Sequence, residues 1–261
     1  MISHLNTSDS MKLEQYLDVI VKFLQDYLEN CHAKGYVLGL SGGVDSSLVA
    51  ALTRKAVGKD KLMCIMMPID SHPSDLEDAK KVAEALDLRY VVLDGSESFH
   101  ATLKEFENKG LSLDRMSQSN LKVRIRMTML YAYGQANGYL VVGTDNMDER
   151  YTGYFTKYGD GAADLLPIVY LTKGEVVEAS KMLGVPSFLA ERTPSAGLFE
   201  GQTDEKEMGV TYKDLDAFLL GGEVDDKVKE RILHLHRVSE HKRIPIPTPI
   251  EYVRDEYEGK K

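Results

Sequence analysis

The sequence predicts an α/β fold: a Rossmann-like, doubly wound parallel sheet with helices on both faces. Three observations lead there. Its short apolar strands show no polar alternation, as strands buried on both faces require. Each is followed by a segment with three- and four-residue apolar spacing, the mark of a helix. A double-glycine loop, Ser41-Gly42-Gly43, joins the first strand to the helix after it.

The elements follow in order. Leu13, Tyr16, Leu17, Ile20, Val21, Leu24, Tyr27 and Leu28 lie on one face of an amphipathic helix that ends near Gly35. Tyr36–Leu40 reads as a buried strand, and a helix then runs through Ala56. Strands at Leu62–Met67, Tyr90–Leu93 and Tyr139–Val142 alternate with helices at Ser74–Leu86, Phe99–Asn108 and Asn120–Gln135. After Gly143 the pattern turns irregular. Thr172-Lys173-Gly174-Glu175 has the spacing of a capping box and opens a helix to Leu183. Helical stretches follow at Lys213–Leu219 and Asp226–His236, and Pro245, Pro247 and Pro249 impose an extended end. With no internal repeat or linker, one domain over 1–261 is expected. Ligands of such sheets bind beyond the carboxyl ends of the strands, so the loops after Leu40, Met67, Leu93 and Val142 are the places to search.

Composition narrows the function. The 32 basic and 41 acidic residues give a formal charge of −9, which weighs against nucleic acid as the substrate. No apolar run approaches a membrane span, and the N-terminus lacks the pattern of a secretory signal, so a cytoplasmic protein is expected. Cys31 and Cys64, the two cysteines, are too few for a cysteine zinc site and are expected to be small buried hydrophobes.

The sharpest chemical signal is Leu40-Ser41-Gly42-Gly43-Val44-Asp45-Ser46-Ser47, between strand and helix. Adjacent glycines let backbone approach a ligand, and the helix N-terminus offers unpaired amides to an anion. Asp45 would repel phosphate unless a divalent cation bridges the two. A plain glycine turn capped by Ser and Asp is the bland alternative. There is no G-x-x-x-x-G-K-[ST] and no G-x-G-x-x-G, so neither a Walker ATPase nor a dehydrogenase fits.

The segment Ser-Gly-Gly-Val-Asp-Ser-Ser resembles the pyrophosphate loop of the N-type ATP pyrophosphatases, whose fold is adenine nucleotide alpha hydrolase-like. Gly143-Thr144-Asp145-Asn146, Glu149, the run from Gly153 to Pro167, Leu171-Thr172-Lys173, Pro194-Ser195-Ala196 and Glu240-His241-Lys242-Arg243 are similar to the signature of the NAD synthetases within that group. The resemblance extends from about Leu13 to Arg243. It implies ATP-dependent amidation of deamido-NAD through an adenylated intermediate, with release of AMP and pyrophosphate. It also implies Mg2+ and a homodimer, with deamido-NAD near the subunit interface; the apolar face of the first helix is expected to serve that contact.

Carried over by residue, the resemblance implies ATP contacts from Gly39, Leu40, Ser41, Gly42, Gly43, Val44, Asp45, Ser46, Thr144, Lys173 and Ser195. Asp45 and Lys173 would be catalytic, and Asp45 and Glu149 would hold the metal. Arg124, Lys157, Asp164, His241 and Lys242 would hold deamido-NAD, while Arg126, two positions from Arg124, would make a structural pair. On residue type alone Glu149 and Asp164 also fit solvated surface acids, Lys157 a surface lysine, and His241-Lys242-Arg243 a charge cluster ending a helix. Met66, Met67, Tyr131 and Tyr133 read as packing. Many relatives have His, Thr and Asp where Asn146, Ser195 and Gly197 stand; Ser195 keeps the hydroxyl, and no role is carried to the other two. The chain's length beside this core leaves no room for a fused amidase, so free ammonia is the expected nitrogen donor. Another ATP pyrophosphatase, acting on tRNA or a purine precursor, and a non-catalytic nucleotide sensor are the competing readings.

Overall fold

A computed structural model describes residues 11–189 and 203–249. Helix α1 (Leu13–Asn30) precedes β1 (Gly35–Gly39) and α2 (Val44–Val57). The repeat continues with β2 (Leu62–Met66), α3 (Pro73–Ala85), β3 (Tyr90–Val92), α4 (Ser96–Asn108), α5 (Arg115–Asn137) and β4 (Tyr139–Val141). The second half holds α6 (Met147–Thr152), α7 (Lys173–Met182), α8 (Asp204–Met208), α9 (Tyr212–Leu219) and α10 (Asp226–Val238).

The four strands are parallel in the order β3-β2-β1-β4. Tyr36 stands opposite Leu62 on β2 and Leu140 on β4, and a parallel bridge between Val142 and Leu165 extends the β4 edge. The chain winds outward from β1 through β2 to β3, then returns to place β4 on the other side. The order therefore reverses between β1 and β4, where a crevice opens beyond the strand ends.

Alternation along β1 assigns the faces. Tyr36 and Leu38 enter the larger core with Leu17, Ile20, Leu24 and Leu28 of α1, Leu48 and Leu52 of α2, and Val176 and Ala179 of α7. Val37 points the other way, with Met63, Ile65 and Val141, against Leu130, Tyr131 and Tyr133 of α5. A smaller cluster of Met208, Val210, Tyr212, Leu215 and Ile232 joins α8, α9 and α10.

The apolar face of α1 read from the sequence packs on the protein's own core, while Phe23 on the same helix is exposed. Two expectations change. Cys64 is buried on β2 as expected, but Cys31 caps the C-terminus of α1 and is exposed. Helix α5 begins at Arg115, a turn before the periodic residues, because Asp114 caps it: its carboxylate accepts the Ser117 N–H at 2.7 Å. Among the described residues no helix is long and apolar enough to cross a membrane.

Candidate active site

The reversal point opens into a cavity of about 580 Å3. Its walls include Gly39–Ser46 after β1, Met67 after β2, Thr144, Asp145 and Glu149 after β4, and Lys173 and Lys242 from the second half. Of the four loops singled out in the sequence, the one after Leu93 does not reach it.

The phosphate-loop candidate is held by its own hydroxyls. Ser41 Oγ and Ser46 Oγ lie 3.0 Å apart, Gly43 N–H donates to Ser41 Oγ at 3.2 Å, and the Ser47 hydroxyl donates to Gly43 O at 2.7 Å. Gly42 has φ +79°, and a Cβ there would sit 2.8 Å from Asp75 O. A side chain would thus meet both strain and backbone. The loop delivers the chain, beside the cavity, to the N-terminus of α2, whose first amides have no partner within the helix, an arrangement that suits an anion.

Asp45, in the first turn of α2, is the hub. Its Oδ2 accepts Lys173 Nζ at 2.5 Å and its Oδ1 accepts Asn146 Nδ2 at 2.8 Å. Asn146 caps α6: its Oδ1 accepts the Glu149 N–H at 2.9 Å, and Glu149 Oε2 accepts the Asn146 N–H at 3.1 Å. Glu149 is thereby fixed beside Asp45. Burial, and then the Asp45 charge, push its carboxyl well above the ordinary range, against the pull of Lys173. Asp145 is also raised, by burial first and Asp160 second, and its Oδ2 has no partner among the described residues. Burial would depress the Lys173 ammonium, but Asp45 and Glu149 outweigh it and hold its pKa above the usual lysine value. The Tyr212 ring lies 5.1 Å from Lys173 Nζ, and Tyr212 donates to Asp204 Oδ2 at 2.9 Å.

The residues expected to hold a dinucleotide divide. Lys242 reaches the cavity wall and donates through Nζ to Gly153 O and Phe155 O, each at 2.7 Å. Arg124, Lys157 and His241 stand outside the cavity as a chain: Arg124 Nε donates to Lys157 O at 3.2 Å, and Lys157 Nζ donates to His241 O at 2.7 Å. Asp164 is also outside, where its Oδ2 accepts the Val141 N–H at 2.7 Å at the sheet edge. Arg126 lines the cavity while donating to Met67 O at 2.9 Å and Ser71 Oγ at 3.3 Å, which fastens the β2–α3 loop. Ser195 and Gly197 lie outside the described residues. Asn146 is the participant that residue-type reasoning passed over, although the Asn-x-x-Glu spacing of a capping box was there to be read.

Comparison with known proteins places the chain in a family. The family model described as NAD synthase matches residues 16–246. The chain belongs to the NAD synthase family. It is 42% identical to the NH(3)-dependent NAD(+) synthetase of Mesoplasma florum, over 94% of this chain and 100% of that one. It is 44% identical to the protein of the same name from Alkaliphilus oremlandii, over 92% of this chain and 98% of that one. Among solved structures, an NMN synthetase from Francisella tularensis superposes with a TM-score of 0.88 at 40% identity, covering 93% of this chain and all of that one. An NH3-dependent NAD synthetase from Campylobacter jejuni gives 0.76 at 29%, with the same coverage. The parallel α/β sheet is thus that of the family, and members of the family that carry the synthetase name are ligases.

Proposed function

We propose that this chain is a ligase that uses ATP and free ammonia to amidate deamido-NAD to NAD. The observation that carries the reading is the junction of Asp45, Lys173, Asn146 and Glu149 at the mouth of a serine-glycine loop, inside a family that forms NAD. A carboxylate resists ammonia because it is anionic. Its attack on the α-phosphorus of ATP forms an acyl adenylate and releases pyrophosphate; ammonia then adds to the acyl carbon and AMP departs with one carboxylate oxygen. The α2 amides and Ser41, Ser46 and Thr144 hold the phosphates in line, and Lys173 faces their charge.

The residues present would suit Mg2+: two hard carboxylates, Asp45 and Glu149, lie near enough for the charge of one to act on the other, and Asp145 Oδ2 has no hydrogen-bond partner among the described residues. The ion would supply charge neutralisation on the polyphosphate. Arg124, Lys157, His241 and Asp164 lie beyond the cavity, which supports a dinucleotide acid running out of it toward a second subunit of a homodimer. We read the chain as one catalytic unit working in the cytoplasm.

A second reading has its own support. The likeness to the Francisella NMN synthetase exceeds that to the Campylobacter protein in both superposition and identity. The same chemistry on the mononucleotide acid would yield NMN. Purified chain with ATP, Mg2+ and ammonium, offered each acid in turn, separates the two by kcat/KM. Activity with neither acid, or only with glutamine in place of ammonium, would overturn both.

A further inference from the structure

The first turn of α7 carries Lys173 and is held by three separate elements. Thr172 Oγ1 accepts the Glu175 N–H at 3.3 Å in a local capping box. The two amides before it are taken by acids from elsewhere in the chain. Asp148 Oδ2, on α6, accepts the Lys173 N–H at 2.8 Å; Asp216 Oδ2, on α9, accepts the Gly174 N–H at 2.8 Å. Asp148 is fully buried, and the other oxygen of each carboxyl is buried with no backbone or side-chain donor among the described residues. The two carboxyls meet each other there.

A helix start of this kind needs no acids from other elements. The local cap and water satisfy most helix ends, and burying the Asp148 carboxyl is costly. What the acids add is location. Asp148 lies one residue from Glu149, so one short helix fixes both the candidate metal ligand and the root of the cation that meets Asp45. Asp216 closes the arrangement from α9. The absence of a side chain at 174 is part of it, since a Cβ there would lie 2.6 Å from Asp216 Oδ2.

We propose that Asp148 and Asp216 are positioning residues for the amidation reaction, fixing the origin of α7 so that the Lys173 ammonium stands at the ATP phosphates. This rests on the reading of Lys173 as a phosphate-facing cation. A displaced reacting or binding group of about 1 Å costs on the order of 100-fold in rate. Loss of either clamp should therefore appear in the ATP side of the kinetics and leave recognition of the acid substrate alone.

The test uses the full chain with Mg2+, ammonium and varied ATP. Asp216→Ala is expected to lower kcat/KM for ATP by about 10- to 100-fold, with KM for the acid substrate within about twofold. Asp216→Asn keeps an acceptor for Gly174 and should restore most of that loss. Gly174→Ala retains both acids, yet its Cβ displaces the Asp216 oxygen; it should lower kcat/KM for ATP by about the same 10- to 100-fold, which keeps the test open if Asp216→Ala fails to fold. Lys173→Met supplies the internal control: adding Asp216→Ala to it should cost nothing more. Wild-type ATP kinetics in both Asp216→Ala and Gly174→Ala would overturn the proposal, as would an equal loss with and without the Lys173 ammonium. If Lys173→Met itself leaves ATP dependence unchanged, the assignment of Lys173 falls, and the proposal with it.

Discussion

Replacing Lys173 by Met removes the cation from an otherwise acidic corner, and the structure sets the size of the effect. The Lys173–Asp45 pair is 2.5 Å long, with side chains only 9% and 16% exposed. Breaking a buried pair by deleting one partner costs about 3–5 kcal/mol, because the other charge stays behind unpaired. Asp45 keeps its hydrogen bond from Asn146 and opens toward the cavity, so the lower end, about 3 kcal/mol, applies. At roughly 2–4 °C per kcal/mol for a chain of this size, Tm should fall by about 6–12 °C. Turnover should fall by about 100- to 1,000-fold, the usual consequence of removing one charge-stabilising group. Scanning calorimetry without ligand measures the first, and pyrophosphate release the second. The double variant Asp45→Asn/Lys173→Met, which removes both charges, should be more stable than Lys173→Met alone, the signature of coupled neighbours. A Tm within about 2 °C of wild type, or a double variant no more stable than the single, would refute the claim that this pair is buried and coupled.

Other outcomes follow from the same geometry. The Asp148 carboxyl is pushed up to about 8, by burial first and Asp216 second. The unfolded chain loses this proton near pH 4, whereas the folded chain holds it until about pH 8, so its contribution is complete at low pH and declines as pH rises through that window. Asp148→Asn should gain stability relative to wild type between pH 5 and 8; a Tm difference that stays flat over that range would contradict the assignment. Gly42→Ala forces a side chain into a positive-φ position against Asp75 O, and should lower kcat/KM for ATP by at least about 10-fold. Unchanged ATP kinetics in that variant would mean the loop does not hold phosphate. Leu24→Ala, at a fully buried site on α1, should cost about 2–5 kcal/mol by urea titration while leaving KM for ATP in the folded protein unaltered.

Much of the architecture was legible because burial writes itself into residue type. Tyr36–Leu40 and Leu62–Met67 are apolar without alternation, and both lie in the centre of the sheet with a packed layer on each face. The helices that show periodicity are those with one face on a core. Helix α6 escaped notice for the opposite reason: it is six residues long and begins with two buried polar side chains, Asn146 and Asp148, so it has no apolar stripe. Helix α8 is five residues and equally silent.

The serine-glycine loop could be read because its pattern is local, a run of Ser and Gly at a strand–helix junction. The cation that answers Asp45 could not be derived that way. Lys173 lies 128 residues downstream, and its contact with Asp45 exists only once α2 and α7 pack on the same face. Asp148 and Asp216 are still less visible: Asp148 sits in a short polar helix that reads as surface until the fold buries it, and Asp216 reads as the solvent side of the amphipathic α9 until its carboxylate meets Gly174. Cys31 erred in the other direction: nothing in its type signalled a helix cap facing solvent.

The central claim is that the acid substrate's own oxygen attacks the α-phosphorus held at the β1–α2 turn. Substrate carrying 18O in both carboxylate oxygens, turned over with ATP and ammonium, tests this directly by mass spectrometry of the products. The account predicts one 18O in AMP for each amide formed, none in pyrophosphate, and no ADP. Unlabelled AMP, or label in inorganic phosphate beside ADP, would contradict it.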